Sequence, residues 1–507
     1  MNQYLLFGIA LIPIIFLIIM LGVLNRPAHT SGLWSVLIAA VLAMLFFQQS
    51  ITQISMAIVE GIAYGLWPIM ITIIAALFTY YLAEHTKSID VIKKMLAGIS
   101  SDPRIQVLVI AWAFGGFLEG VAGYGTAVAL PASLLVVLGF NPMFAALLCL
   151  IANTVPTAFG AVGIPVSTLA DVAGLAVNEV SYTIVVQQFI FIILIPFILV
   201  ILAGKGFKAL KGVWGITLVS GLAFALPQLV IAKYLGAELP SLIGGVISLA
   251  ATIAMALVFY RKKEANQEKM DVTLKEAVLA WLPYILITVL IFITTPLVKP
   301  VYEIVSHIKT VIVFYPGSSG VAFKWLTTPG VIIIVATVIA GLIQGCPIGE
   351  IIGVFFKTVK KMTKSIITVL AIVSLAKIME YSGMINAIAV VLVAVTGSFF
   401  PFISPMLGAL GTFVTGSDTS ANLLFGKLQA EVAHSIGVSD YWLAASNTAG
   451  ATLGKMISPQ SIAVAASATN LVGEEGNILK QTAKYCFAFV LVLGVIIYVG
   501  SFFYPLA

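Results

Sequence analysis

Ionisable residues are scarce in this chain, and those set inside apolar stretches are the ones that could do chemistry. Lys455 lies in GKMISPQS, Asp418 in TGSDTSAN and Glu119 in FLEGVAG. A lysine at mid-membrane costs about 2.5–3.5 kcal/mol on insertion scales, so such residues are usually paired or functional. Beside helix breaks, the Lys455 cation could bind an anionic substrate. The plainer reading is a salt bridge with Asp418 or Glu119, and both could hold in the empty protein. The two carboxyls sit at expected hairpin tips. Burial disfavours a charged carboxylate, so either could carry a coupled proton. For Glu119 the competing role is a hydrogen bond that holds its tip together.

Polar residues at matched positions extend this set. Asn153–Thr154 and Asn447–Thr448 are expected where helices break. A half-helix N-terminus presents free N–H groups and partial positive charge, a seat for a carboxylate. Asn and Thr could touch the ligand there or simply cap the helix. Gly120 and Tyr124 at the first tip, Ser417 at the second and Gln460 after Lys455 complete the candidate substrate contacts. Lys377 is explained more simply by an i,i+3 pair with Glu380. There is no HExxH, no GxSxG and no GxxxxGK[ST], so an enzyme reading lacks its nucleophile, metal set or phosphate loop. Cys149, Cys346 and Cys486 are too dispersed for a disulfide framework or a metal site, and no cofactor is expected.

The elements that must position these residues are membrane helices. Of 507 residues, 61% are hydrophobic and 9% charged, against about 25% charged in soluble domains. Apolar runs at 4–24, 62–83, 182–203 and 483–503 each approach the roughly 20 residues that span a bilayer. The net charge of +6 comes from short loops between spans and gives no reason to expect nucleic acid. The first run has no basic segment before it, so it reads as a retained helix. Residues 105–138 are broken around Glu119–Thr126, and residues 143–171 around Asn153–Pro156 and Gly160–Pro165. Irregular backbone at membrane depth is tolerated only where protein or water satisfies it.

The two halves echo each other. Gly115, Phe117 and Gly120 match Gly411, Phe413 and Gly416 at an offset of 296. Further on, Asn153–Thr154, Gly160 and Pro165 match Asn447–Thr448, Gly454 and Pro459 at 294. Lys87, Lys93, Lys94 and Arg104 occupy a stretch whose counterpart, 380–400, has no Lys or Arg. Lys357, Lys360, Lys361 and Lys364 have an equally empty counterpart at 54–68. Cytoplasmic loops collect Lys and Arg, so the halves are expected to be inverted, with both termini outside. The expected fold is an all-α polytopic membrane protein, with about 12 spans and two re-entrant hairpins in an inverted repeat. Residues 1–32 form a first helix, and 33–212 the first repeat (hairpin 105–138, broken helix 143–171). Connecting helices and loops occupy 213–328. The second repeat is 329–507 (hairpin 402–436, broken helix 441–470).

At these residues the chain resembles the L-lactate permease family. The resemblance rests on FGGFLEGVAGYGTAVALPASLLVVLGFNP, IANTVPTAFGAVGIP, GSDTSANLLFGKLQAE and, above all, NTAGATLGKMISPQSIAVA. It implies uptake of 2-hydroxymonocarboxylates (L-lactate, D-lactate, glycolate) by proton symport across a bacterial plasma membrane. The paired hairpins also look similar to ion transporters in which one domain moves past a scaffold like an elevator, often in a homodimer. A Na⁺-coupled anion transporter of the same architecture is the alternative, because exposed carbonyls and an Asp serve sodium as well. A channel would not need hairpins in both halves.

Overall fold

Why these sequences become helices is visible at their ends. Asn2 accepts the Tyr4 N–H to start Gln3–Ile18, and Ser50 with Gln53 forms a capping box before Ile51. Thr273 and Glu276 do the same before Leu274. Such caps satisfy N–H groups that the helix leaves without partners. The computed structural model describes residues 2–20, 24, 26–123, 125–260, 272–294, 298–316, 320–471 and 474–506. Tyr124 and the charged loop at 261–269 lie outside the described residues.

Among the described residues the chain is helical except for one two-stranded ribbon, Lys309–Ile312 against Val321–Lys324. That ribbon falls in a stretch of mixed polarity that the sequence reading leaves as a loop. Among the described residues ten helices are long and apolar enough to cross a membrane, or eleven with one bent pair, where about a dozen spans are expected. The difference has a plain cause. Gln3–Ile18 and Pro329–Ile343 are apolar but only 16 and 15 residues long, short of the roughly 20 that span the hydrocarbon unaided.

Two long helices run antiparallel. Ile51–His85, 35 residues, changes direction at Trp67, where φ/ψ is −136°/116° before Pro68. Ile348–Tyr381, 34 residues, packs along it, with a Cβ at Gly61 falling 2.5 Å from Ser374 Cα and Lys361 lying over the Tyr81 ring at the other end. The expected Lys377–Glu380 pair forms at 3.2 Å, but Lys377 also reaches Glu60 of the facing helix at 3.1 Å. Glu60 is 2% exposed and accepts the Tyr381 hydroxyl at 2.5 Å, so the pair ties the two helices together.

Packed beside them are the interrupted elements. Pro103–Val121 and Thr126–Val137 join through residues 122–125, where Gly123 and Gly125 take positive φ. Phe400–Thr415 and Asp418–Ser435 join through Gly416 and Ser417. Pro142–Ala152 and Pro156–Ala173 meet at 61°. In the second half Asp440–Lys455 is followed by Pro459–Ala468. Small residues let these backbones approach: a Cβ at Gly450 would lie 2.6 Å from Pro405 Cα. Val177–Ala203 and Glu475–Ser501 flank the set.

Candidate functional site

The two interrupted pairs and the two helices broken after them converge on one small cavity. The tip of the first interrupted pair supplies Glu119 and Gly123, and that of the second Gly416, Ser417 and Asp418. The joint of the first bent helix gives Thr157, Gly160 and Ala161. Lys455 and Gln460 bracket the break in the second, and Ile73 closes the wall from the long helix.

Lys455 ends its helix and donates to the Gly416 carbonyl at 3.0 Å. Gly416 takes φ +74°, which leaves that carbonyl free to face the lysine. Among the described residues no carboxylate lies within 4.0 Å of the Lys455 ammonium, so the salt bridge expected with Asp418 or Glu119 does not form. Both carboxyls nonetheless lie close enough to feel its charge. An ammonium has three donors, and one is committed.

The two carboxyls are each 2% exposed. Asp418 Oδ1 accepts the Thr412 hydroxyl at 3.0 Å, while Oδ2 has no partner. Glu119 Oε2 is likewise buried without a partner. Its carboxyl rests on two glycines, with a Cβ at Gly160 falling 2.5 Å from Oε1 and one at Gly123 at 3.5 Å. Buried acceptors left without donors are uncommon in native proteins and costly. Both residues line the same cavity as Lys455.

The joint beside Glu119 is made by unusual backbone. Ala161, Val162 and Gly163 take consecutive left-handed conformations, with φ of 45°, 59° and 75°. Each non-glycine residue there costs roughly 1–2 kcal/mol, and such strain concentrates at functional sites. A Cβ at Gly163 would lie 2.9 Å from that of Ala237, so the neighbouring loop holds the turn in place.

The remaining predicted residues divide. Ser417 and Gln460 line the cavity, although the Ser417 hydroxyl also caps its helix by accepting the Ser420 N–H at 3.3 Å. Asn153 stands beside the Glu119 carboxyl with its own Oδ1 unpartnered. Thr154 points away and donates to the Ile151 carbonyl at 2.8 Å. Gly120 is a packing residue: a Cβ there would lie 2.7 Å from the Leu242 nitrogen.

Asn447 and Thr448 are not at a break. Asp440–Lys455 runs through them unbroken, because their side chains are satisfied sideways. Both donate to Asn422 Oδ1 at 2.9 Å, and Gln429 donates to Asn447 Oδ1 at 3.3 Å. The second interruption comes later, after Lys455. Gly160 and Thr157 are among the lining residues that sequence reasoning leaves out of the site, as are Gly123, Ala161 and Gly416. Gly160 was legible as the repeat partner of Gly454; Thr157 carried no signal.

A polytopic helical protein with a buried, charged cavity where interrupted helices meet belongs to the class of membrane transporters. Comparison with known proteins narrows this. The profile described as L-lactate permease matches residues 7–503. The L-lactate permease of Streptococcus iniae is 48% identical, covering 87% of this chain and 94% of its own. Glycolate permease GlcA and the L-lactate permease of Escherichia coli K12 are 37% and 35% identical, each covering 96% of this chain and 94% of their own. The chain belongs to the L-lactate permease family. Among solved structures, the Alcanivorax borkumensis YdaH transporter aligns with a TM-score of 0.49 at 14% identity, covering 88% of this chain and 87% of its own.

Proposed function

We propose that the protein takes up L-lactate and related 2-hydroxymonocarboxylates, D-lactate and glycolate among them, by proton symport across a bacterial plasma membrane. The names of its relatives support the substrate class. The observation that carries the mechanism is the Lys455 ammonium in one cavity with two buried carboxyls that each keep one oxygen without a partner. The substrate carboxylate takes the free donors of Lys455, with Ser417 and Gln460 near enough to serve its 2-hydroxyl. A proton on Glu119 or Asp418 offsets the charge brought in. One monocarboxylate with one proton moves no net charge, so the membrane potential adds little to accumulation.

The matched glycines, NT pairs and opposite loop charges support an inverted repeat, and the interrupted helices support a moving transport body beside the two long helices. The test is uptake of labelled L-lactate into proteoliposomes under a pH gradient or a sodium gradient imposed separately. Accumulation driven by inward protons and indifferent to sodium is expected, and Lys455→Met is expected to abolish it. Accumulation driven by sodium alone would overturn the coupling, and no accumulation under either gradient would overturn the substrate.

A further inference from the structure

Beyond the tip of the second interrupted pair lies another cavity. It abuts the first, since Gly416, Ser417 and Gln460 are walls of both. Its far side is formed by Arg26, His29 and Lys364. Arg26 and Lys364 are exposed, and neither makes an ion pair among the described residues. Among the described residues no carboxylate lines this cavity. Ala28 and His29 open the 19-residue helix Ala28–Phe46, whose start has no side-chain cap, so its free N–H groups add partial positive charge to the same wall.

We propose that this cavity is an antechamber, a second binding station for the small carboxylate anion, in which Arg26 and Lys364 hold the substrate as it passes the Gly416–Ser417 tip on its way from or to Lys455. The proposal rests on the monocarboxylate reading above. A cleft lined by one sign of charge with low-dielectric walls concentrates ions of the opposite sign. Two unpaired cations with no carboxylate among them favour an anion, and the shared walls give that anion one way onward. His29 adds charge only when protonated. The station belongs to one face of the protein, so its effect is one-sided.

The test is L-lactate exchange in proteoliposomes of known orientation, assayed from each face at about 20 mM and about 300 mM salt, where screening is weak and strong. The variants are Arg26→Gln, Lys364→Gln, their combination, and Arg26→Lys. The double variant is expected to raise KM about tenfold from one face at low salt, leaving kcat and the opposite KM unchanged. The rise of wild-type KM with salt should flatten in the double variant, and Arg26→Lys should keep the wild-type KM. Unchanged KM from both faces in the double variant overturns the antechamber. So does loss of kcat from both faces at unchanged KM, which marks a structural role. If the double variant does not fold, the two single variants decide by the same criterion. Wild-type liposomes that exchange no L-lactate would instead overturn the reading on which the station rests.

Discussion

At the scale of single residues, Glu119 and Asp418 are both buried and near Lys455, but they are not equivalent. Asp418 has a hydroxyl donor in Thr412, whereas Glu119 is pressed on glycines with one oxygen unpartnered. Each keeps one buried oxygen without a partner, and under the proposed proton symport Glu119 is the first to test as carrier. Glu119→Gln is expected to keep lactate-for-lactate counterflow while losing accumulation driven by a pH gradient; loss of both together would assign it to substrate binding instead. The seat beneath it is as specific. Gly160→Ala places a methyl against Oε1 at a φ of −65° that alanine accepts without strain. Transport should fall at least tenfold while the detergent-solubilised protein stays monodisperse on size exclusion. Glu119, Lys455 and Asp418 were legible because charge inside an apolar run has few explanations. Thr157 was not, since a threonine among apolar residues looks the same whether it faces a cavity or a helix.

At the scale of elements, Asn422 is the joint of the second half. It donates to the Pro165 carbonyl at 2.9 Å, linking the first bent helix, and accepts from Asn447 and Thr448. Asn422→Ala removes three buried hydrogen bonds, and although Asn447 Nδ2 keeps the Ala421 carbonyl at 3.3 Å, any buried group left unpaired costs about 1–3 kcal/mol. A clear fall in thermal unfolding temperature in detergent is expected, and an unchanged value would mean that these bonds are replaced locally. The same residue explains why the Asn447–Thr448 break does not occur. The NT pair repeats in sequence, but its polar side chains need lateral partners to lie inside a buried helix. Asn422 and Gln429 supply them in the second half. In the first, Asn153 instead meets Pro156, which ends the helix by removing an N–H.

At the scale of the whole molecule, loop charge sets orientation. Lys205–Lys211 and the sequence 261–269 are separated by two spans, Trp214–Leu235 and Pro240–Phe259, and the orientation proposed from their charge puts both on the cytoplasmic face. Under that proposal the ribbon after Leu274–Ile293 lies outside. In a background lacking Cys149, Cys346 and Cys486, Lys211→Cys should react with an impermeant thiol reagent only from the cytoplasmic side, and Lys309→Cys only from outside. The reverse pattern would invert the protein and with it the face on which Arg26 and Lys364 stand.

The sequence by itself determined the class, the interrupted elements and the charged residues worth watching. Hydropathy, glycine clusters and buried charge are local properties, written where they act. It also carried the family, through the GKMISPQS block and its companions. Only the tertiary structure decided which of these residues meet. Lys455 faces Gly416 rather than a carboxylate, Gly120 packs on a neighbouring helix, and Thr448 braces Asn422. The physical reason is that a side chain's partners come from other elements brought alongside it, and helix packing chooses those elements over separations of tens to hundreds of residues. Nothing in the residue's own surroundings along the chain records the choice.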